Sequence, residues 1–316
     1  MRKAFVQALR ELARADERIL LLTADLGFAA LEPFAEEFRG RFFNVGIAEQ
    51  NMVGMATGLA EAGFIPFVYS IATFAALRPF EFIRNGPVAH HLPVRVVGIG
   101  GGVEYGHNGI SHYALEDFGV MRTQPHLTVL APCDHAQAAT MIRATWDLPG
   151  PIYYRLSKDD LTTVPGLEGR FDPSGVQTLT EGDDLLLVAT GTAAVAAAAA
   201  AEKLRAEGCS CGLTLVPRLN PAPADALVAQ LRPHKVVITI ETHYINGGLG
   251  SLVSETVAEH GLGCRVVRCG VRKTPAGVSG SQRYMERLCG VDGESVVAAA
   301  RQALQEQERR LITANV

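Results

Sequence analysis

Short apolar segments alternate with helix-like segments along nearly the whole chain, and this alternation restricts the fold more than any other feature. In the first half, apolar segments lie at 19–23, 65–68, 94–99, 128–130 and 152–155. An amphipathic helix pattern begins the chain, and helical stretches follow at 50–62, 74–89 and 135–146. Because several predicted strands are apolar throughout, both faces of their sheet must be covered. The pattern predicts an α/β fold with a doubly wound, mostly parallel sheet.

A second alternating unit follows a stretch without periodicity. Residues 158–182 are rich in Gly, Pro, Asp and Thr, which predicts a linker. Beyond them, predicted strands at 185–189, 212–216, 236–241 and 264–267 alternate with predicted helices at 193–207, 224–231, 251–260 and 294–310. We therefore predict two separate doubly wound domains, at 1–157 and 183–316.

Charge and cysteine content exclude several classes of protein. The 316 residues carry 29 Lys+Arg and 33 Asp+Glu, and a net charge of -4 is too balanced for a nucleic-acid binder. The longest apolar run, 193–201, is too short for a bilayer, and charges interrupt the N-terminal segment where a signal peptide needs an apolar core. We expect a cytoplasmic protein without membrane contact.

The spacing of the 6 cysteines fits neither a zinc knuckle nor a secreted disulfide framework, so we expect buried reduced thiols.

The segment 44–63 places a glutamate at the start of a predicted buried helix. The residues after Glu49 are nearly all apolar or small. Its carboxylate could simply favour the helix dipole or complete a cap. A carboxyl group in an apolar pocket can also share a proton near neutral pH, because burial disfavours its charged form. From the residues alone, both interpretations remain open.

A glycine-rich loop follows the predicted strand at 94–99. It contains three consecutive glycines, but neither a dinucleotide fingerprint nor a Gly-Lys-Ser/Thr motif. Open parallel sheets bind ligands at the carboxyl ends of their strands, which is where this loop begins. Asn108 and His112 in this loop are therefore predicted to contact a ligand.

Five motifs, in order, resemble the transketolase family of thiamine diphosphate enzymes. They are Thr23-Ala24-Asp25-Leu26, Gly46-Ile47-Ala48-Glu49-Gln50, the segment 66–74, the loop 106–112 with the acidic pair at 116 and 117, and the segment 241–251. The first four resemble the pyrimidine-binding domain of that family, and the last resembles the start of its C-terminal domain. The resemblance covers essentially the whole chain and implies two doubly wound domains of these types.

The resemblance implies which residues bind thiamine diphosphate. In this family, the residue equivalent to Glu49 hydrogen-bonds the aminopyrimidine and is catalytic, and the residue equivalent to Phe74 stacks on the same ring. Asp25 belongs to the matching strand end. Ile71 and Leu77 stand where the family usually has further aromatic residues, so the pocket is expected to be less aromatic than usual.

The substrate-binding end differs from the family pattern. His112 resembles the histidine that contacts substrate oxygens and assists proton transfer, which makes it the second implied catalytic residue. Asn108 stands where the family has an aspartate, Lys158 where it has an arginine, and Gly100 where it has a histidine that binds phosphate or hydroxyl groups. Arg2 matches a phosphate-binding arginine. An unusual ketose or acceptor is therefore as compatible with the sequence as a pentose phosphate.

The chain lacks the motif with which the family holds Mg²⁺ and the diphosphate. That motif is Gly-Asp-Gly followed by an asparagine, and neither Gly182-Asp183-Asp184 nor Asp292-Gly293 fits it. We expect no metal ligands in this chain and assign Mg²⁺ to an N-terminal transketolase subunit. In the family, the pyrimidine domain of one subunit faces the diphosphate domain of another. A heterotetramer of the two subunits is therefore expected.

The implied activity is transfer of a two-carbon ketol unit from a ketose to an aldehyde, in the C-terminal subunit of a split transketolase. One alternative is the β subunit of a 2-oxoacid dehydrogenase E1 component, which has the same two domains. The motifs around Glu49 and His112 disfavour it because they look more like transketolase. The other alternative is a non-catalytic partner subunit that keeps the fold, and the retained Glu49, Phe74 and His112 argue against it.

Overall fold

The computed structural model describes residues 1–314 and contains two sheets with helices around them. The elements up to residue 156 are α1 (Arg2–Ala15), β1 (Ile19–Thr23), α2 (Glu32–Glu37), β2 (Phe42–Asn44), α3 (Glu49–Glu61), β3 (Ile65–Ile71), α4 (Ala72–Leu77), α5 (Phe80–Ile83), β4 (Arg95–Ile99), α6 (Asp117–Arg122), β5 (Thr128–Leu130), α7 (His135–Thr145) and β6 (Ile152–Leu156). The later elements are β7 (Gln177–Thr180), β8 (Leu185–Ala189), α8 (Ala193–Ala206), β9 (Cys211–Leu215), β10 (Arg218–Asn220), α9 (Ala224–Leu231), β11 (Val236–Tyr244), α10 (Leu249–Glu259), β12 (Arg265–Val271), α11 (Gln282–Cys289) and α12 (Gly293–Ala314). Within this described part, no helix is both long and apolar enough to cross a membrane.

The first sheet has seven strands in the order β10-β5-β6-β4-β3-β1-β2, and only β10 runs antiparallel to its neighbour. Alternate residues of β1 point to opposite faces, as strand geometry requires. Leu20 and Leu22 pack with α3 on one face, and Ile19 and Leu21 pack with α1 and α7 on the other. Helices therefore cover both faces, which confirms the predicted doubly wound α/β fold.

The second sheet has five strands in the order β12-β11-β8-β9-β7, and β7 is the antiparallel strand. Leu185 and Leu187 of β8 pack with α8 and α12. Leu186 and Val188 face the other way and pack with α9 and α10. The second half is thus also covered on both faces, as predicted.

The two units are not as separate as the sequence suggested. Strand β10 belongs to the second half of the chain but pairs with β5 of the first sheet. The side-chain amide of Asn220 in β10 donates to the carbonyl oxygens of Leu127, at 2.5 Å, and Gln124, at 3.0 Å. Val68 of the first sheet and Val188 of the second also belong to one continuous apolar core. The halves share both a sheet and a core.

Other local expectations also need correction. The segment 158–182, predicted as a linker, contains β7, and the predicted helix 74–89 is divided into α4, α5 and a π-helical turn over Arg84–Val88. The division falls at Pro79, which has no backbone N–H for a continuous helix and restricts the residue before it. All six cysteines are free, but only Cys133, Cys211 and Cys269 are buried.

A buried ion pair of the first domain lies against the second sheet. The Nε atom of Arg155 lies 3.1 Å from a carboxylate oxygen of Asp117, and both side chains are at most 6% exposed. Nη2 of Arg155 donates to the carbonyl oxygens of Ala114, at 2.8 Å, and Thr242, at 2.9 Å. The hydroxyl of Tyr153 donates to the same Asp117 carboxylate at 2.7 Å. Because Thr242 lies in β11, one arginine links both sheets.

The loop 272–281, between β12 and α11, packs on the glycine-rich loop 100–113 of the first domain. The amide of Gly280 donates to the carbonyl oxygen of Gly106 at 3.1 Å. The hydroxyl of Tyr113 donates to the carbonyl oxygen of Val278 at 3.0 Å. A side chain at position 106 would collide with the carbonyl oxygen of Gly280, so glycine is required for this approach. The C-terminal half therefore supports the loop in which the predicted site residues lie.

Candidate active site

The candidate site lies where β1, β3, β4 and β6 end. These strands are parallel neighbours, so their carboxyl ends meet at one edge of the sheet. Asp25 follows β1, Phe74 follows β3, and Lys158 follows β6. The loop 100–113 follows β4 and carries Asn108 and His112. The topology therefore brings most of the sequence-predicted site residues to the same edge.

Glu49 is the first residue of α3 and is only 3% exposed. The positive end of the α3 dipole favours a carboxylate at this position. The hydroxyl of Ser70, in β3, donates to the carboxylate at 3.2 Å. Nη1 of Arg78 lies 3.0 Å from each carboxylate oxygen. The sequence suggested an apolar pocket for Glu49, but the structure gives its carboxylate a charged and a neutral donor.

Arg78 connects Glu49 to Phe74. Its guanidinium carbon lies 3.8 Å from the centroid of the Phe74 ring, which is a cation–π distance. Phe74 and Arg78 are four residues apart at the end of α4, so they lie on the same face of that helical turn. The Arg78 side chain is 43% exposed, whereas the carboxylate that it binds is buried. The face of Phe74 therefore already accommodates a flat polar group beside Glu49.

His112 lies on another side of Phe74. The centroids of the two rings are 5.2 Å apart, and the rings meet edge to face. The hydroxyl of Ser111 lies 2.9 Å from Nδ1 of His112 and helps to orient the imidazole. The ring of Tyr105 is 6.1 Å from the imidazole, centroid to centroid. The His112 ring therefore lies beside Phe74, and the Tyr105 ring lies beside His112.

Two cationic residues complete this arrangement. The ammonium of Lys158 lies 4.8 Å from the centroid of the Tyr105 ring. Nε of Arg2, at the start of α1, donates to the carbonyl oxygen of Lys158 at 3.1 Å. A series of side-chain contacts thus leads from the Glu49 carboxylate to Lys158 and Arg2. We call this series of residues the site row. Its members are Glu49, Arg78, Phe74, His112, Tyr105, Lys158 and Arg2.

The remaining predicted residues lie around the site row without joining it. Asp25 exchanges hydrogen bonds with Asn44 of β2: its amide donates to the Asn44 side-chain oxygen at 3.0 Å, and the Asn44 amide donates back at 3.1 Å. Ile71 is buried at the end of β3, and Leu77 is 40% exposed at the end of α4. Asn108 is exposed in the loop 100–113. The proposed roles of these four residues remain predictions.

A second buried carboxyl group lies behind the row. Glu104 is 4% exposed and accepts hydrogen bonds from the Ser157 hydroxyl, at 2.9 Å, and the Lys158 amide, at 2.8 Å. Burial raises its pKa from 4.5 to about 7, although these donors and the nearby cations act in the opposite direction. Glu104 therefore fixes the backbone that carries Lys158.

Sequence reasoning missed Arg78, Tyr105 and Glu104. A sequence signal existed for Arg78, because an arginine four residues after Phe74 must share its helical face. Tyr105 had a weaker signal: it follows three glycines, which leave room for a large neighbouring ring. The contact between Glu49 and Arg78 has no sequence signal, because the two residues are far apart in the chain. Their contact depends on how α3 and α4 pack against each other.

Comparison with known proteins agrees with this geometry. The family model described as "Transketolase, pyrimidine binding domain" matches residues 1–163. The model described as "Transketolase, C-terminal domain" matches residues 174–296. The chain belongs to the transketolase family. Its site row therefore lies in the pyrimidine-binding domain of a transketolase-family protein.

Several transketolase-family relatives have a similar length. A putative transketolase C-terminal section of Methanocaldococcus jannaschii is 35% identical, over 98% of this chain and 96% of that protein. One subunit of the apulose-4-phosphate transketolase of Actinobacillus succinogenes is 33% identical, over 86% and 88%. The 6-deoxy-6-sulfo-D-fructose transketolase subunit SqwH of a Clostridium species is 32% identical, over 98% and 96%. A solved structure described as a split gene transketolase, inactive beta4 tetramer, matches with a TM-score of 0.87 at 36% identity, covering 96% of this chain and 98% of that chain.

Proposed function

We propose that this chain is the C-terminal subunit of a split transketolase and transfers a two-carbon ketol unit from a ketose to an aldehyde acceptor. Three relatives of comparable length support the proposal, because their names describe a section or a subunit of a transketolase. The solved structure with the same coverage is also described as a split gene product. The assignment concerns the reaction class and leaves the sugar to experiment.

The observation that carries the proposal is the buried Glu49 carboxylate beside the Phe74 ring. The family implies thiamine diphosphate, and these residues offer what its aminopyrimidine needs: a carboxylate to bind a ring nitrogen and an aromatic face for stacking. The planar Arg78 guanidinium makes both kinds of contact in this structure, and a bound pyrimidine would take its place on them. When bound, this cofactor supplies an electron sink for cleavage of the bond next to a ketose carbonyl. Glu49 would hold a proton at the pyrimidine nitrogen, a task suited to a carboxyl group shielded from water.

The neighbouring residues of the site row have distinct tasks in this proposal. Arg78 donates to both oxygens of Glu49, so it compensates the carboxylate charge and fixes its orientation. Phe74 excludes water from one side of the site. His112, oriented by Ser111, is placed to hydrogen-bond a substrate oxygen and to move a proton there.

We further propose that a separate N-terminal subunit provides the sites for the diphosphate and Mg²⁺, in a heterotetramer. Within residues 1–314, no group of three or more His, Cys, Asp or Glu residues is arranged to hold a metal ion. Exposed apolar side chains near the site row are consistent with a protein partner there. They are Phe28, Ile47 and Ile110, which are 91%, 76% and 53% exposed.

The test is reconstitution with an N-terminal transketolase subunit that carries the Gly-Asp-Gly motif and its asparagine. We expect the two purified proteins to form a complex that binds thiamine diphosphate with Mg²⁺ and transfers a ketol unit between sugars. The isolated chain is the matched control and is expected to be inactive. Turnover by the isolated chain would refute the split-subunit proposal. Decarboxylation of a 2-oxoacid with transfer to a lipoyl protein would instead identify a dehydrogenase component.

A further inference from the structure

Arg78 contacts both groups that the proposed function assigns to the aminopyrimidine of the cofactor. Its Nη1 atom lies 3.0 Å from each carboxylate oxygen of Glu49. Its guanidinium carbon lies 3.8 Å from the centroid of the Phe74 ring. A guanidinium is planar and presents N–H donors at its edge, and an aminopyrimidine shares this shape. One carboxylate and one ring face cannot hold both planar groups at these distances, so the two groups compete for the same place.

The contact with Arg78 stabilises the buried carboxylate of Glu49 in the cofactor-free chain. The other donor to this carboxylate within the described chain is the neutral hydroxyl of Ser70, at 3.2 Å. A buried carboxylate with only a neutral donor is costly, because it has lost its hydration without gaining an opposite charge. The guanidinium supplies that charge and binds both oxygens. We call this position of Arg78, on Glu49 and Phe74, the closed position.

Arg78 can leave the closed position by rotation of its side chain alone. This side chain is 43% exposed, so the guanidinium reaches the buried carboxylate from the solvent side. Among residues 1–314, its hydrogen bonds go only to Glu49. Arginine keeps its charge in water and has a long flexible stem. Rotation into solvent would therefore leave the backbone of α4 and the Phe74 ring in place.

We propose that Arg78 is a latch on the cofactor site: it occupies the place of the aminopyrimidine in the cofactor-free chain and moves out when the cofactor binds. This inference rests on the proposed function and adds a form of regulation to the same site. An incoming pyrimidine must replace an ion pair as well as form its own contacts. The latch therefore lowers the apparent affinity by the fraction of molecules in which Arg78 has left the closed position.

The main experiment uses the aminopyrimidine half of the cofactor, 4-amino-5-hydroxymethyl-2-methylpyrimidine, as the probe. It is titrated by calorimetry into the isolated full-length chain. Arg78→Ala removes the guanidinium, so we expect it to lower the dissociation constant of the probe about tenfold, as for a latch that is open in about one wild-type molecule in ten. Arg78→Lys keeps the charge but not the planar donors, so its dissociation constant should be intermediate.

Arg84→Ala is the matched control, because it removes the same charge from an exposed arginine in the adjoining π-helical turn. Its dissociation constant for the probe should equal that of the wild type. The far-ultraviolet circular dichroism spectrum of each variant checks that the chain is folded. A folded Arg78→Ala protein that binds the probe no better than the wild type, or not at all, would overturn the inference.

A second measurement follows Arg78 in the wild-type protein and does not depend on the folding of a variant. The guanidinium resonances of Arg78 are assigned by nuclear magnetic resonance through bonds from its backbone amide. The ion pair with Glu49 restricts rotation of the guanidinium, so its two Nη groups should give separate signals. We expect these signals to merge as the probe is added. Unchanged Arg78 signals at the highest probe concentration would overturn the inference.

The outcomes for the latch are distinct from those for the proposed function. Displacement of Arg78 by the probe, with tighter binding by Arg78→Ala, would support the latch even if the reconstituted complex transfers no ketol unit. The converse result is ketol transfer by a complex in which Arg78→Ala binds thiamine diphosphate with Mg²⁺ no more tightly than the wild type. That result would support the proposed function and overturn the latch.

Discussion

Relative to the wild type, replacing Glu104 with glutamine should make the protein progressively more stable as the pH rises from acidic to neutral. In the native state, burial raises the pKa of Glu104 to about 7, whereas its ordinary value is 4.5. Between these values the native protein keeps a proton that the unfolded chain has released. Unfolding then releases a proton, so the free energy of unfolding falls as the pH rises through this window and becomes constant above it. Glutamine does not titrate, so Glu104→Gln lacks this contribution to the fall in the free energy of unfolding.

The size of the effect follows from the same two values. A tenfold change in proton affinity corresponds to about 1.4 kcal/mol, so keeping Glu104 ionised in its buried position costs about 3 kcal/mol above pH 7. The Ser157 hydroxyl and the Lys158 amide can still donate to a glutamine oxygen. The new amide hydrogens change stability by an amount that does not depend on pH. The quantity to measure is therefore how the difference in the free energy of unfolding between Glu104→Gln and the wild type changes with pH.

The assay is equilibrium urea unfolding at intervals from pH 4.5 to pH 8. We expect the stability of Glu104→Gln relative to the wild type to rise by about 3 kcal/mol across this range, as an upper estimate. Glu241, whose pKa burial also raises to about 7, is present in both proteins and cancels. Glu36→Gln removes the same charge from the exposed side of α2 and should show no such trend. A constant difference between Glu104→Gln and the wild type would refute the reasoning.

Three further substitutions test other parts of the structure. Glu49→Gln should lower ketol transfer by the reconstituted complex about 10²–10⁴-fold with an unchanged far-ultraviolet circular dichroism spectrum, and a fully active variant would remove Glu49 from the mechanism. Arg155→Met should destabilise the chain by about 3–5 kcal/mol in urea unfolding, because it leaves the Asp117 carboxylate buried without its cation; adding Asp117→Asn should recover part of the loss. Asn220→Ala should cost about 1–2 kcal/mol by removing the donors to Leu127 and Gln124, and an unchanged unfolding midpoint would show that β10 is held by its backbone alone.

The central strands were predictable because burial determines their sequences. Residues 19–22 and 185–189 are all apolar, and each segment lies in a strand with both faces covered. Strand β10 had no such signal, because Arg218, Leu219 and Asn220 are too few and too polar to show a pattern. Its pairing depends on β5 and on the hydrogen bonds of Asn220, which come from distant parts of the chain. The break in the predicted helix 74–89 did have a signal, since Pro79 interrupts an otherwise suitable pattern.

Only those residues of the candidate site that lie in a recognisable sequence motif were predictable. Glu49, Phe74 and His112 each lie in a segment that resembles the transketolase family, and the structure brings Phe74 close to the other two. Contacts between segments were not predictable, because they depend on packing. The substitution of glycine at position 100 was visible in the sequence, but the ring that fills its space is five residues further along the loop. Arg78 likewise binds a carboxylate on a different helix.

The contact between the loop 272–281 and the loop 100–113 limits how this protein can be recombined with its relatives. Gly106 and Gly280 approach each other so closely that neither loop can change its backbone alone. A chimaera that joins this first domain to the C-terminal domain of a relative would bring a foreign loop against the loop that carries Asn108 and His112. Exchange of the two loops as a pair would preserve that contact. The two loops should therefore be treated as one unit in engineering, although they belong to different domains.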